Sequence, residues 1–467
     1  MAKFISQETF DDVVRENIIE FSMSPNEARE ETIKQFEAQD INLANIIKDL
    51  TINDETGVPI LNECIHKLKS HIDDGIKLNE NDLIENLKIL ESECKKSIPH
   101  RVMAAKHGAH EILLKIIENE LNLPESSRNI DLMVYCLNAK TALTNKYPDI
   151  FDDKSLKIVI KILDTHKNEI NLISATLQYL PKACVLHEIN RQNIMNANIM
   201  NYTKPLVKNP NGKVVKDLCT LYRSLILDDD IRVEFGKAHE HARQIASEVL
   251  IDLTKILSEH DDVNVLSDLI LTIASLVVRQ EFCIAVEEEG GLEQVFNLMN
   301  KFPNEVKLNR EALKLLRALG GHDQVKNKIV QKGAPPIIYN ILDSNKENES
   351  VTANALACVS TLTLRVKENS AAFFETGIAE VIIESMKIHP KSKIVQRNAA
   401  WAIRNMVSRS REQCEHFLSF GAEELLNAAL QEFPAILHDV KSALRDLGCK
   451  VDLKEEWTGK AEIKIAN

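Results

Sequence analysis

Basic side chains recur along this chain at a spacing that could recognise a row of negative charges. We call a series of positions that recurs at about this spacing a column. One column has eight members at intervals of 42, 41, 51, 43, 43, 44 and 41 residues, and six of them are basic: Lys140, Lys182, Arg223, Ala274, Arg317, Ser360, Arg404 and Arg445. Lys and Arg pair with carboxylates and phosphates through charge-assisted hydrogen bonds. The column predicts a basic ladder that binds an acidic or phosphorylated segment. The alternative is that these side chains are solvated or paired with acids of their own chain, where each pair contributes only about 0–1 kcal/mol.

A second polar cluster combines carboxylates, a guanidinium and imidazoles within a short stretch, namely Asp228, Asp229, Asp230, Arg232, His239 and His241. Three adjacent carboxylates near two imidazoles could hold a divalent metal ion. However, consecutive residues on a turn point in different directions, and no ligand spacing such as HExxH is present. We therefore predict no metal here. The cluster is interpreted as a candidate contact surface specific to the family of this protein.

Motifs that carry catalysis are missing from the sequence. It contains no GxSxG, no GxxxxGK[ST] and no GxGxxG after a strand. Nine cysteines are scattered without a CxxC pair, which is typical of reduced core thiols in a reducing compartment. We predict a non-enzymatic protein without cofactors; an enzyme is a distant alternative.

Glycines mark the elements that would position these side chains. Gly291, Gly333, Gly377 and Gly421 each open an apolar helical run, at intervals of 42, 44 and 44 residues. Gly108 opens a similar run upstream, and Asp153 and Asn198 stand in phase with it as substitutes for glycine. Stacked helical units of about 40–47 residues have this period. The sequence therefore predicts an all-α solenoid, whose long surface suits binding more than catalysis.

The N-terminal region differs from the rest in charge. Residues 1–93 hold 9 Lys and Arg against 21 Asp and Glu, whereas the whole chain has a net charge of −13. Ser24, Pro25 and Glu27 predict a capped helix start. Two interpretations stay open: the region is a helical cap that covers the end of the solenoid, or it docks on the basic ladder and competes with an acidic partner.

Several helical runs, among them ALKLLRALG at 312–320, resemble the armadillo repeat family. Trp401 and Asn405 in AAWAIRNMV at 399–407 are a near-verbatim instance of its consensus. The resemblance covers residues 94–449. It implies a right-handed superhelical solenoid without catalysis, in which the third helix of each repeat lines a concave groove. The groove candidates are then the six basic ladder residues with Trp401 and Asn405. We predict an acidic N-terminal extension at 1–93, a repeat array at 94–449 and a tail at 450–467.

The same resemblance raises an alternative, a nuclear-transport adaptor that binds basic signals. Such adaptors repeat the Trp/Asn pair, whereas this chain keeps it only at Trp401 and Asn405, so this alternative is disfavoured. Three stretches, 5–21, 227–242 and 443–459, resemble one armadillo subfamily whose molecular role is poorly defined. Without a basic footprint or an apolar span, we expect a monomeric, soluble scaffold of the cytoplasm, and also of the nucleus, that binds proteins rather than nucleic acid or membranes.

Overall fold

A computed structural model describes residues 4–44, 46–53, 56–73 and 78–451. Within them the fold is all-α, as predicted, with 26 α-helices. The chain divides into two compact units, residues 1–248 and 249–467. Of the predicted tail at 450–467, residues 452–467 lie outside the described residues. Among the described helices, none combines the length and the hydrophobicity that a membrane-spanning helix requires.

The first unit contains twelve described α-helices: α1 (Gln7–Phe21), α2 (Pro25–Ala38), α3 (Ile60–Asp73), α4 (Glu80–Lys96), α5 (Ile98–Lys106), α6 (Ala109–Asn122), α7 (Ile130–Thr144), α8 (Asp153–Thr165), α9 (Ile170–Cys184), α10 (Glu188–Asn196), α11 (Met200–Thr203) and α12 (Gly212–Leu225). Helices α4, α7, α9 and α12 stack consecutively. Helix α4 packs on α7 as α7 packs on α9, so the stacking extends into the residues assigned above to the N-terminal extension.

Helix α13 (Ala238–Lys255) contains the boundary between the units. The second unit continues with α14 (Val263–Leu276), α15 (Gln280–Glu288), α16 (Gly291–Lys301), α17 (Val306–Leu319), α18 (Asp323–Gln331), α19 (Ala334–Ser344), α20 (Glu349–Thr363), α21 (Lys367–Phe374), α22 (Ile378–Ile388), α23 (Lys393–Val407), α24 (Cys414–Ser419), α25 (Ala422–Glu432) and α26 (Leu437–Leu447). Five inner helices, α14, α17, α20, α23 and α26, stack in that order. Helices α16, α19, α22 and α25 each cover the next inner helix, which buries aliphatic side chains between the two layers.

The repeat glycines act as left-handed turns between a short helix and the helix that follows it. Gly333, Gly377 and Gly421 have φ of 98°, 80° and 88°. The equivalent residue in the preceding repeat is Gly290, with φ 80°, rather than the predicted Gly291, which is the first residue of α16. Asn198 substitutes for glycine as predicted, with φ 55°. Asp153 does not, because it is already the first residue of α8.

The N-terminal helices form a small core of their own. The capping box predicted at Ser24 and Glu27 is present at the start of α2. Phe10 and Phe36 are buried with their ring centroids 6.1 Å apart, whereas Phe21 is 64% exposed. A cavity of about 780 Å³ separates α1 from α5, and residues of both helices line it. The pKa of Asp11 in this cavity is raised by burial to about 6.

All nine cysteines are free thiols, and seven are buried. Burial raises the pKa of the Cys64 and Cys94 thiols to about 12. Because the thiolate is the reactive form, these side chains behave as small core residues.

Candidate functional site

The basic ladder starts in the first unit with a residue that does not line a surface. Lys140 on α7 is fully buried. Its Nζ lies 3.0 Å from His110 Nδ1 and 3.4 Å from Ser155 Oγ, and 5.4 Å from the centroid of the Tyr179 ring. Burial lowers the pKa of Lys140 to about 7. The prediction that Lys140 lines the groove is therefore wrong, because the helices packed around α7 leave its amine inside the core.

The next two ladder residues reach the surface. Lys182 on α9 and Arg223 on α12 are half-buried. Arg223 Nη2 donates to Thr220 Oγ1 at 3.3 Å, one turn earlier on the same helix. Part of the ladder in the first unit is thus accessible, although Arg223 is already engaged with its own chain.

In the second unit the ladder is divided between an accessible cation and two internally paired ones. Arg317 on α17 is exposed. Arg404 Nε on α23 lies 3.4 Å from Asp446 Oδ2, and Arg445 Nε on α26 donates to Asp446 Oδ1 at 2.8 Å. This hydrogen bond raises the pKa of Arg445. Asp446, which the ladder did not include, partly neutralises the positive charge at this end.

Trp401 and Asn405 on α23 have different surroundings. The Arg397 guanidinium lies 4.8 Å from the centroid of the half-buried Trp401 ring. Asn405 Nδ2 donates to both the carbonyl and the hydroxyl oxygen of Ser360, each at 2.9 Å. The amide of Asn405 therefore fastens α23 to α20 instead of presenting both its groups to a ligand backbone.

A basic row on α17 was missed because the basic ladder takes only one residue from each repeat. Lys307, Arg310 and Lys314 precede Arg317 at spacings of 3, 4 and 3 residues, which places all four on one face of the helix. Their side chains remain partly accessible, although Lys307 pairs with Asp268, and Arg310 and Lys314 pair with the buried Glu311. The i, i+3, i+7, i+10 spacing in the sequence could have revealed this row.

The face of the second unit follows from the stacking order of its inner helices. Helix α20 lies between α17 and α23, and Asn398 Nδ2 donates to the Ala353 carbonyl at 2.8 Å, which fixes their register together with Asn405. At equivalent positions of the three helices, small residues of α20 stand between the bases of α17 and those of α23. Ala357 and Ser360 of α20 are themselves buried, so the accessible side chains belong to α17 and α23. We call the surface with Arg310, Lys314, Arg317, Arg397, Trp401 and Arg404 the α17–α23 face.

Two of the three acids at 228–230, Asp229 and Asp230, belong to an ion-pair network around a buried arginine. Arg191 on α10 is 1% exposed. Its guanidinium donates to Glu188 Oε2 at 2.9 Å, to Asp229 Oδ1 at 2.6 Å and to the Cys184 carbonyl at 2.7 Å. Although burial opposes ionisation, hydrogen bonds from Gln192, the backbone of Lys237 and Arg191 lower the pKa of Glu188. The buried guanidinium of Arg191 therefore has two carboxylate partners, Glu188 and Asp229.

Asp230 and Arg232 form the second half of this network. Arg232 Nε donates to Asp230 Oδ1 at 2.8 Å, and this hydrogen bond holds the pKa of Asp230 well below its usual range. Arg232 also donates to Asp149 at 2.9 Å and to the Leu186 carbonyl at 2.7 Å.

The remaining members of the cluster form no bond within this network in the described part of the chain. Asp228 and His239 are exposed, whereas His241 is buried with Nδ1 3.0 Å from the Leu225 carbonyl. Among the described residues, no group of three His, Cys, Asp or Glu side chains is placed to hold a metal ion.

Comparisons with known proteins agree with this architecture. A family model described as ARMC6 matches residues 61–466, and one described as Armadillo repeat-containing protein 6 N-terminal domain matches residues 2–60. The chain is 58% identical over 467 residues to the armadillo repeat-containing protein 6 homolog of Drosophila melanogaster, covering 100% of both. It is 32% identical over 475 residues to armadillo repeat-containing protein 6 of Homo sapiens, covering 98% of this chain and 93% of the relative. A crystal structure of an engineered protein has a similar fold, with a TM-score of 0.62 at 15% identity, over 84% of this chain and 100% of the other.

Proposed function

Because this chain belongs to the armadillo repeat-containing protein 6 family, whose repeats form a protein-binding scaffold, we propose that it is a non-enzymatic adaptor and that its α17–α23 face binds an extended acidic or phosphorylated segment. The observation that carries this proposal is the pair of basic helices on either side of α20. Arg317 is exposed on one of them, and Arg404 is partly accessible on the other. We place this activity in the cytoplasm and also in the nucleus.

The geometry of the stack sets the spacing of charges in such a ligand. Neighbouring packed helices lie about 8–10 Å apart, so α17 and α23 are separated by about 16–20 Å. An extended segment advances about 3.3 Å per residue. Two acidic or phosphorylated residues about five or six positions apart would therefore meet Arg317 and Arg404 together, with the small side chains of α20 beneath the segment.

Acids of the chain itself already pair with some of the bases on this surface. A ligand must therefore compete with these acids for the bases. Glu311 and Asp446 each hold two bases, but those bases keep part of their side chains exposed. A phosphate offers three acceptor oxygens and about −1.5 to −2 charges, so it can bind donors that a buried carboxylate leaves over.

The test uses a labelled peptide with two phosphoserines five residues apart in a Gly/Ser background, and fluorescence anisotropy with the purified full chain. Arg317→Glu combined with Arg404→Glu should weaken binding about tenfold, since each reversal removes roughly 0.5–1 kcal/mol. Arg279→Glu with Arg409→Glu is the matched control, because both arginines are exposed and lie in loops of the same unit. The control should change binding less than about twofold.

Two results would contradict the proposal. Equal binding of the unphosphorylated peptide would mean that negative charge is not recognised. Tighter binding of the same peptide with lysines at the two positions would instead favour the nuclear-transport type of adaptor.

A further inference from the structure

The loop between α12 and α13, residues 226–237, is fixed in place although it contributes little to the core. Asp229 is bonded to the buried Arg191, and its Oδ2 accepts from the Leu186 backbone N–H at 3.1 Å. Asp230 Oδ2 accepts from the Glu188 backbone N–H at 2.9 Å, and the Lys237 backbone N–H donates to Glu188 Oε1 at 2.7 Å. The network therefore bonds the start and the end of the loop to the beginning of α10.

This braced loop exposes large apolar side chains. Ile231 is 100% exposed and Phe235 is 82% exposed. They are four positions apart in the chain, so their Cα atoms are at most about 14 Å apart. Leu186, 49% exposed, is bonded through its backbone to Asp229 and Arg232, and Ile189, 59% exposed, follows it in the same segment. Single exposed apolar residues are ordinary, but a group of this size on one surface indicates a binding site.

The rigidity of the loop favours binding because less conformational entropy is lost when an already ordered loop meets its partner. Burying the Arg191 guanidinium with its three acceptors costs free energy, because its charge must be desolvated, and the turn that it holds is itself exposed to solvent. The packing of the unit does not need the side chains of Ile231 or Phe235, which are exposed. The network therefore stabilises the display of these side chains.

The charge around the apolar group indicates what covers it. Asp228 and Glu234 are exposed acids without a basic partner in the described part of the chain, whereas Arg232 is already bonded to Asp149 and Asp230. Lys237 at the end of the loop is exposed and opposes one of these charges, so the balance of unpaired charge in the loop is still negative. We propose that the α12–α13 loop inserts Phe235 and Ile231 into an apolar pocket of a second protein, and that Lys and Arg side chains rim this pocket. This loop belongs to the first unit, whereas the α17–α23 face belongs to the second, and the two surfaces would take partners of opposite charge.

The experiment replaces Phe235 with the photo-crosslinking amino acid benzoylphenylalanine in the full chain expressed in cells. Phe21 is the matched control position, because it is also a phenylalanine and is 64% exposed. A protein crosslinked from 235 and not from 21 is then purified, and its affinity is measured for the wild type, Phe235→Ala and Ile231→Ala. Unchanged melting curves are expected for these variants because both side chains project into solvent.

The proposal expects the Phe235→Ala variant to bind at least about 30-fold more weakly, which is the threshold of an interface hot spot. It also expects the crosslinked partner peptide to contain Lys or Arg, and the affinity to fall as salt is added. Three outcomes would overturn it: no crosslink specific to position 235, a crosslink to a second copy of this chain, or a partner whose affinity is unaffected by Phe235→Ala.

Discussion

Replacing Lys140 with methionine should stabilise the first unit at pH 7 and lose that advantage as the pH rises. Lys140 is fully buried, and burial lowers its pKa from 10.5 to about 7. Methionine has a similar length without an amine that must give up its proton on folding. The change therefore removes an electrostatic cost, together with the contacts of Nζ to His110 and Ser155.

The sign follows from the protons bound in each state. Between about pH 7 and 10.5 the unfolded chain keeps the lysine protonated, whereas the folded chain loses that proton. The unfolded state then binds more protons, so raising the pH stabilises the wild-type fold. With the cited pKa values, the cost of burying the amine is about 4 kcal/mol at pH 7 and about 2 kcal/mol at pH 9.

The lost contacts offset part of this gain. Leaving His110 and Ser155 without their partner costs about 1–3 kcal/mol. The Lys140→Met variant should therefore be about 1–3 kcal/mol more stable than the wild type at pH 7, and its advantage should shrink by about 2 kcal/mol at pH 9. Buried thiols with raised pKa values act in the opposite direction above about pH 9, but they are common to both proteins and cancel in the difference.

The assay must report on the first unit, because a helical array of this length need not unfold in one step. Urea unfolding at each pH, followed by a brief deuterium pulse at one fixed pH and mass spectrometry, resolves peptides from α7 and α9. Lys182→Met is the matched control, since Lys182 on α9 is the next residue of the same column but is only half-buried. A stability difference that is the same at pH 7 and pH 9, or a variant that is less stable at pH 7, would show that the amine stays charged inside the fold and would refute the reasoning.

Other expected outcomes concern the network, the groove and the turns. Arg191→Met should destabilise the first unit by about 3–5 kcal/mol, because it leaves the buried carboxylate of Glu188 without its cation. Arg243→Met on the exposed side of α13 should change the stability by less than about 0.5 kcal/mol in the same pulse-labelling assay. Asp446→Asn should strengthen binding of the diphosphorylated peptide a few-fold by anisotropy, since it releases Arg404; weaker binding would contradict the role assigned to that acid. Gly333→Ala should cost about 1–2 kcal/mol, because alanine is strained at φ 98° even though no atom lies within 4 Å of the added methyl group. Calorimetric melting would check this, and an unchanged melting temperature would rule out the strain.

The acidic N-terminal region shows how far a sequence pattern can carry a prediction. The capping box at Ser24 depends on residues three positions apart, so it was visible in the sequence and is present in the structure. Phe10 and Phe21 both fall on the apolar face that helical periodicity gives α1, yet Phe10 is buried whereas Phe21, the last residue of the helix, is exposed. Periodicity identifies the apolar face of a helix, but it does not show how far along the helix that face is covered.

The all-α repeat architecture was determined by the sequence itself, since caps, left-handed turns and apolar spacing act within a few residues. The tertiary structure alone decided what each basic side chain meets. Lys140 and Arg317 occupy the same column, yet one is buried beside His110 and the other is exposed. Asp446 reaches Arg404 from a helix about one repeat away in the chain. Charge and burial depend on neighbours that stacking brings together across a whole repeat, and the identity of a residue in a column carries no information about them.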